Sequence, residues 1–421
     1  MPRPLSLHAY RWLMSGLALI LPYYLARRKR AGKEDSQRWQ ERLGKGYSHF
    51  DRHKTTIWLH AVSVGEVMAA LSLVDAVIKQ IPKAHFIITT GTVTSAEIVA
   101  QKQSELPVTH YYAPFDAPRF VDRFFDHSQP DFAILFESDF WPCLISVAHE
   151  RQIPVYLASA QMSEQSALSW LKRPLLAEAV FGPIAHCFAH DETQKDYFLK
   201  LGTKQVSVTG SLKLPRLITA KTHLAKAIKK AAHNRLILLG ASTHQGEEAQ
   251  LLDISALLRA NGLDHLLIMA PRHPERGDDV ANLMPHAKRR RHNDLPARED
   301  DVFLVDTLGD MPSLYQAADI IWLGATFSGK GGHNPLEAAS YGKPIICGLS
   351  QFKNQYEFDQ LKKLDICHEL VEIGATVSFI NDLYQDKDRL AEIAKRGKSY
   401  ASKAKKRAQI VANHIVKDQG V

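Results

Sequence analysis

The chain has 421 residues, of which 45% are hydrophobic and 23% charged, and carries a formal net charge of +8. That length exceeds one ordinary core and suits two domains of roughly 200 residues each, while the composition excludes long disorder. The surplus of cations attracts anionic partners, but the basic runs Arg27–Arg30, Lys288–Arg291 and Lys403–Arg407 carry no interleaved aromatics, which argues against nucleic acid as one of them.

Residues Trp12–Leu25 (WLMSGLALILPYYL) are uncharged and lead directly into the first basic run. About 14 residues are too few to span a bilayer, and no small-residue cleavage site follows. Apolar burial and a polybasic patch together hold a protein on anionic lipid, so the segment is predicted to associate with a cytoplasmic membrane leaflet; the alternative is a helix packed on the protein's own core. The second and third basic runs read as solvated helix faces. Cys143, Cys187, Cys347 and Cys367 lack CxxC spacing and read as core residues of a reducing compartment.

From Ile57 onward, short apolar runs alternate with helix-length segments. Ile57–Val62, His85–Thr90, Phe132–Phe136 and Val155–Ala158 predict strands of one domain; Leu236–Leu239, Leu266–Met269, Val302–Val305, Ile320–Leu323 and Pro344–Cys347 predict those of a second. The alternation specifies βαβ units, hence an α/β fold of two doubly wound parallel sheets, with ligands at the carboxyl ends of the strands. The Lys-rich stretch 219–235 is taken as the connection between the domains.

The residues that follow the strands carry the chemistry. Gly65 lets backbone approach a ligand, and Glu66 stands in a first helical turn, as a site carboxylate or only a favourable charge. Glu137 and Asp139 end the strand at Phe136; Glu137 reads as the site residue and Asp139 as a helix N-cap, with Pro142 in the first turn. Ser242 and Thr243 open a second-domain helix with small residues suited to phosphate, and Arg272 and His273 follow the next strand, with Arg276 a possible surface residue. In GATFSGKGGHNPLE (Gly324–Glu337), Gly331 and Gly332 free the backbone, Asn334 is the expected N-cap, and Glu337 is placed to accept from a ribose; the loop is predicted to bind an anion through amides and helix dipole. His244, His273 and His333 lack metal-ligand spacing, so no metal is expected.

These segments, in this order, resemble the bacterial lipid A 3-deoxy-D-manno-octulosonic acid (Kdo) transferases. The matching stretches are RWQERLG (Arg38–Gly44), HAVSVGE (His60–Glu66), TTGTVTSAE (Thr89–Glu97), ESDFWP (Glu137–Pro142), VTGSLK (Val208–Lys213), ASTHQGEE (Ala241–Glu248), PRHPER (Pro271–Arg276), LGDMPSLYQAADI (Leu308–Ile320) and GGHNPLE (Gly331–Glu337). The resemblance implies the GT-B architecture of two Rossmann-like domains: a membrane-associating segment over 1–45, an acceptor domain over 46–218, the connection over 219–235 and a nucleotide-sugar domain over 236–421, with the last helix open to packing back on the first domain. It implies an inverting, metal-independent transfer of Kdo from CMP-Kdo to a lipid A precursor at the cytoplasmic face of the inner membrane, without other cofactors. Glu66 would be the general base and Glu137 a second acceptor-side carboxylate. Ser242, Thr243, Arg272, His273, Gly331, Gly332, His333, Asn334 and Glu337 would hold the nucleotide sugar, with Gly65 and Lys213 as additional candidates. Where the family usually reads Asn-Ala-Arg-Leu-Ser-x-Arg-Ser, this chain has Ser159-Ala160-Gln161-Met162-Ser163-Glu164-Gln165-Ser166, two arginines fewer, and Ser211 replaces a common Asn. The alternatives are therefore a paralogue using another ulosonic acid or nucleotide, or a non-catalytic scaffold.

Overall fold

The computed structural model describes residues 4–32, 34–49, 55–213 and 222–420, and the chain divides into two compact units, Met1–Leu214 with Lys406–Val421, and Pro215–Lys405. In the first, α1 (Leu5–Arg30) precedes β1 (Thr55–His60), α2 (Val64–Ile78), β2 (Ala84–Thr90), α3 (Val93–Lys102), β3 (Val108–Tyr112), α4 (Pro118–Ser128), β4 (Phe132–Phe136), α5 (Pro142–Glu150), β5 (Val155–Ala160), α6 (Glu164–Leu171), α7 (Pro174–Phe181), β6 (His186–Ala189), α8 (Glu192–Lys200) and β7 (Val206–Val208). The second holds α9 (Thr222–Ala232), β8 (Leu236–Thr243), α10 (Glu247–Ala260), β9 (His265–Pro271), α11 (Gly277–Asn282), β10 (Lys288–Arg289), β11 (Val302–Leu304), α12 (Met311–Ala317), β12 (Ile320–Leu323), α13 (Leu336–Ser340), β13 (Ile345–Cys347), α14 (Gln355–Lys363), β14 (Cys367–Glu369), α15 (Ile373–Gln385) and α16 (Lys387–Lys405). The last helix, α17 (Arg407–Asp418), belongs to the first unit.

Each unit is built on one parallel sheet, ordered β3-β2-β1-β4-β5-β6-β7 and β10-β11-β9-β8-β12-β13-β14. Sheets covered on both faces need strands that are apolar throughout, which is why β4 (FAILF) and β12 (IIWL) are fully buried. Strand order reverses between β1 and β4 in the first sheet and between β8 and β12 in the second. A crevice opens at such a switch point, outside the carboxyl ends of the two flanking strands. Glu66 and Glu137 follow β1 and β4, and the segments beginning at His244 and Gly324 follow β8 and β12.

Five strands were not expected from the apolar runs: β3, β6, β7, β10 and β14. Four are edges, where pairing on one side only and partial exposure favour polar residues; β7 is half-buried throughout and β10 is Lys-Arg. The stretch read as a connection is, from Thr222, a helix of the second unit; residues 219–221 lie outside the described residues. Its Lys-rich composition conceals an apolar stripe of Leu224, Ala225, Ile228 and Ala232 at helical spacing, all within the core of that unit. In α17, Val411, Ala412 and Ile415 join the cluster formed by Val67, Leu71 and Val74 of α2, and Arg407 donates to the Ser211 carbonyl at 3.1 Å.

α1 packs one side on the first unit and leaves the other exposed. Leu7, Ala18 and Leu25 are buried against the first unit, while Trp12, Leu13, Leu19, Ile20 and Tyr23 are 61 to 86% exposed on the other side. Among the described residues no helix is long and apolar enough to cross a membrane. The basic run Lys288–Arg291 is not a solvated helix face. It forms β10 and a 3-10 turn in which Lys288 pairs with Asp300, Arg289 with Asp306 and Asp278, and Arg290 with Asp310.

Candidate active site

In the first unit, Ser63 caps α2: its Oγ accepts from the Glu66 amide at 3.4 Å and donates to Glu66 Oε1 at 2.7 Å, while the Val62 amide donates to Oε2 at 2.8 Å. This reciprocal capping fixes the carboxylate's direction. Glu66 is buried, and burial raises its pKa above the usual carboxylate range against the pull of those bonds, with Glu137 and Asp139 adding to the rise. The cap and the burial act on the same group: the cap orients the carboxylate, and burial raises its affinity for a proton.

Glu137 sits at φ 58°, a left-handed conformation rare for a residue with a Cβ. Lys213 Nζ pairs with its Oε1 at 2.5 Å, and Gln161 Nε2 donates to Oε2 at 3.2 Å. Lys213 reaches it because Ser159 Oγ accepts from the Leu212 amide at 2.9 Å, holding the 209–213 segment to the end of β5. A Cβ on Gly65 would lie 2.9 Å from Lys213 Cε, so the glycine makes room for this lysine. Gly65, Glu66, Glu137 and Lys213 therefore converge.

Asp139 is not the cap of α5. The amides of Cys143 and Leu144 are capped by Asp116, at 3.1 and 2.8 Å, a buried carboxylate from a loop distant in sequence and invisible to local reading. Asp139 instead accepts from Trp141 Nε1, and burial pushes its pKa up to about 6.

In the second unit the glycine loop is arranged differently from expectation. Gly332 donates to the Ala325 carbonyl at 3.0 Å and Gly331 to Ser350 Oγ at 2.9 Å, so both amides are spent within the protein. Helix α13 has five residues, too short for a strong dipole, and Pro335 occupies its N-cap position; Asn334 Oδ1 accepts from the Leu336 amide at 2.9 Å. Gly332, at φ 75°, could not carry a Cβ without meeting Phe358 at 2.9 Å.

The loops at the switch point are held by two glutamates that sequence reading passed over. Glu247 accepts from four amides, those of His244, Ala325, Phe327 and Ser328, at 2.8 to 3.2 Å, binding the glycine loop to the start of α10. Glu248 is bidentate to Arg276 at 2.9 and 3.2 Å and accepts from Thr243 Oγ1, tying in the loop after β9. Arg276 is therefore structural rather than a surface residue, and Thr243 turns inward. The signal was the pair of acids in ASTHQGEE at the start of a helix.

Between these loops, His244 and His333 meet Nε2 to Nε2 at 3.1 Å with rings stacked, and the His273 ring lies 5.8 Å from that of His244. Burial lowers both His244 and His333 to about 4, with Lys330 acting on the first and Arg272 and Lys353 on the second. Arg272 also counters the burial that raises Glu337. Arg272, His244, His273, His333 and Glu337 form one cluster of ionisable side chains, with Ser242, at φ 54° on a bulge of β8, bonded through its backbone to His333. Ser159 occupies the matching bulge on β5. Strained residues and bulges at strand ends are features of ligand sites. Among the described residues no group of three or more His, Cys, Asp or Glu side chains is arranged to hold a metal.

Two parallel seven-stranded sheets with loop clusters at both switch points define the class: a GT-B-like glycosyltransferase fold. A glycosyltransferase structure from Rickettsia africae superposes with a TM-score of 0.58 at 14% identity, over 87% of this chain and 98% of its own. The family described as 3-Deoxy-D-manno-octulosonic-acid transferase (kdotransferase) matches residues 37–216. The 3-deoxy-D-manno-octulosonic acid transferase of Rickettsia bellii is 34% identical over 80% of this chain and 81% of its own, and that of Haemophilus influenzae 31% identical over 81% and 82%. The chain belongs to the 3-deoxy-D-manno-octulosonic acid transferase family.

Proposed function

We propose that this protein is an inverting glycosyltransferase that moves Kdo from CMP-Kdo to a lipid A precursor, without a metal, at the cytoplasmic face of the inner membrane. Glu66 takes the proton of the acceptor hydroxyl as that oxygen attacks the anomeric carbon, and CMP leaves. The observation that carries this role is a buried, cap-oriented carboxylate at the switch point of the first unit, beside the Lys213–Glu137 pair. Lys213 and Glu137 orient the acceptor. In the second unit Arg272, His273, His333 and Glu337 hold the nucleotide and steady the charge on the departing phosphate. The apolar outer face of α1 and the basic run at its end support seating on an anionic lipid surface.

Incubation of the purified protein with CMP-Kdo and a lipid A precursor is expected to give a glycosylated product by mass spectrometry. No turnover together with no CMP binding by calorimetry overturns the assignment. A second reading, another ulosonic acid or nucleotide, is favoured by Gln161, a neutral donor to Glu137 at the position where the family pattern quoted above usually reads Arg. Thermal-shift ranking of CMP, UDP and GDP separates the two, since a ligand well above its Kd stabilises by a few kcal/mol.

A further inference from the structure

The first unit contains a cavity of about 710 Å³ bounded by α1, the start of α5, α6 and α7. That volume falls within the roughly 300–1,000 Å³ of small-molecule sites. One side of its wall is aromatic and aliphatic, formed by Tyr10, Phe140, Trp141, Trp170 and Leu176, and the other is polar, formed by Ser163, Gln165, Ser166 and Ser169. Arg173 is the cation of the lining; it donates to Ser169 and makes no ion pair among the described residues. The α1 side is fixed rather than collapsible, because Tyr10 Oη donates at 2.9 Å to Asp116, the same buried carboxylate that caps α5.

We propose that this cavity receives one acyl chain of the glycolipid acceptor and so selects lipid-linked acceptors over free sugars. The inference rests on the transfer reading above. Three observations choose the occupant. The aromatic side offers an acyl chain apolar contact, and the hydroxyl side, with a cation that has no acid partner among the described residues, suits an anionic head group beside the chain. The cavity adjoins apolar surface: Trp141, Leu168 and Leu175 are 44, 51 and 70% exposed, and Tyr10 belongs to the helix that presents Trp12 and Leu13 outward. Finally, Phe140 is three residues after Glu137, a span of at most about 11 Å, so a chain seated here brings its head group to the carboxylates of the switch point. A bulk phospholipid has no reason to occupy a cavity at that distance from the site.

The test uses the full chain and a plug variant, Ser169→Phe, at an exposed lining position whose change spares the core. With acceptors of increasing acyl length, kcat/KM should rise about fourfold per added methylene until the cavity is full, and in Ser169→Phe the dependence should flatten. The ratio of kcat/KM for acylated over acyl-free acceptor should fall at least tenfold in the variant. Acceptor with a brominated chain should quench tryptophan fluorescence more in the wild type than in Ser169→Phe, reporting Trp141 and Trp170. The same chain-length dependence in both proteins, or quenching by brominated phosphatidylglycerol vesicles as strong as that by the glycolipid, overturns the proposal. Plug-sensitive quenching without transfer to any acceptor would sink the transfer reading and leave the cavity's ligand in place; transfer without chain-length dependence would do the reverse.

Discussion

Glu66 caps α2 and, on the mechanism proposed above, also serves as general base, two tasks that a mutation can separate. Its bonds to the Val62 amide and Ser63 Oγ are capping bonds worth about 0.5–2 kcal/mol, whereas a general base contributes about 10²–10⁴ in rate. Its folded pKa is raised, so ionisation disfavours the folded state: the group's contribution is fully present below the unfolded value near 4.5 and is lost as pH rises through the folded pKa. Glu66→Gln is therefore expected to transfer about 10²–10⁴ times more slowly, bind CMP as before, and show a shallower loss of stability with pH above 4.5, while the wild-type rate shows an acid limb above that value. Parallel rate and melting profiles check this; unchanged turnover with a shifted melt would reduce Glu66 to a cap. Gly65 offers an independent handle on Lys213. The atom its added Cβ would strike lies near the end of a flexible side chain, so Gly65→Ala should melt within about 1 kcal/mol of wild type yet displace Lys213 from Glu137. A loss of roughly 1.4 kcal/mol of positioning is tenfold in rate. Gly65→Ala and Lys213→Met should each slow transfer to that degree, and the double variant should be little worse than either, since both remove one interaction. Additive losses would refute the coupling.

At the scale of elements, sequence and structure part where partners are remote. The central strands were legible because burial on both faces forces continuous apolar runs, and Pro142 marked a helix start through local chemistry. The Asp116 cap, the amide cradle of Glu247 and the Arg276–Glu248 fork were not, because each joins segments that only the fold brings together. The same holds for the glycine loop: its composition announced a ligand loop, but whether its amides face a ligand or Ser350 and Ala325 depends on neighbours that spacing cannot reveal. The fork makes a sharp prediction. The Glu248 side chain is 1% exposed, so Arg276→Ala leaves a buried carboxylate without its cation, a loss of about 3–5 kcal/mol. Urea unfolding should show it, and replacing both residues with Arg276→Leu and Glu248→Leu should recover much of it. CMP affinity should fall in the single variant, because the same loop carries Arg272. A single variant that unfolds like wild type would show that water replaces the arginine.

For the molecule as a whole, the net charge of +8 hid an uneven distribution. The run at Lys288–Arg291 is neutralised by four aspartates and leaves little field, whereas Arg27 and Arg30 end a helix whose apolar outer face has no partner among the described residues of the first unit. Soluble monomers seldom expose several large apolar side chains side by side, and Trp12, Leu13, Leu19, Ile20 and Tyr23 on one helix need a surface to cover them. On the membrane seating proposed above, a bilayer covers them: a fully buried side chain of this size yields about 1.5–3 kcal/mol, and each juxtamembrane cation adds about 1 kcal/mol on anionic lipid. Leu13→Gln with Ile20→Gln alters two side chains 61 and 62% exposed, so melting should stay near wild type while sedimentation with vesicles falls at least tenfold whatever their charge. Arg27→Gln with Arg30→Gln should weaken binding to phosphatidylglycerol vesicles by about 2 kcal/mol, roughly thirtyfold, leave binding to zwitterionic vesicles unchanged, and abolish much of the salt dependence. If both pairs of changes left vesicle binding intact, the outer face of α1 would have to meet something other than lipid.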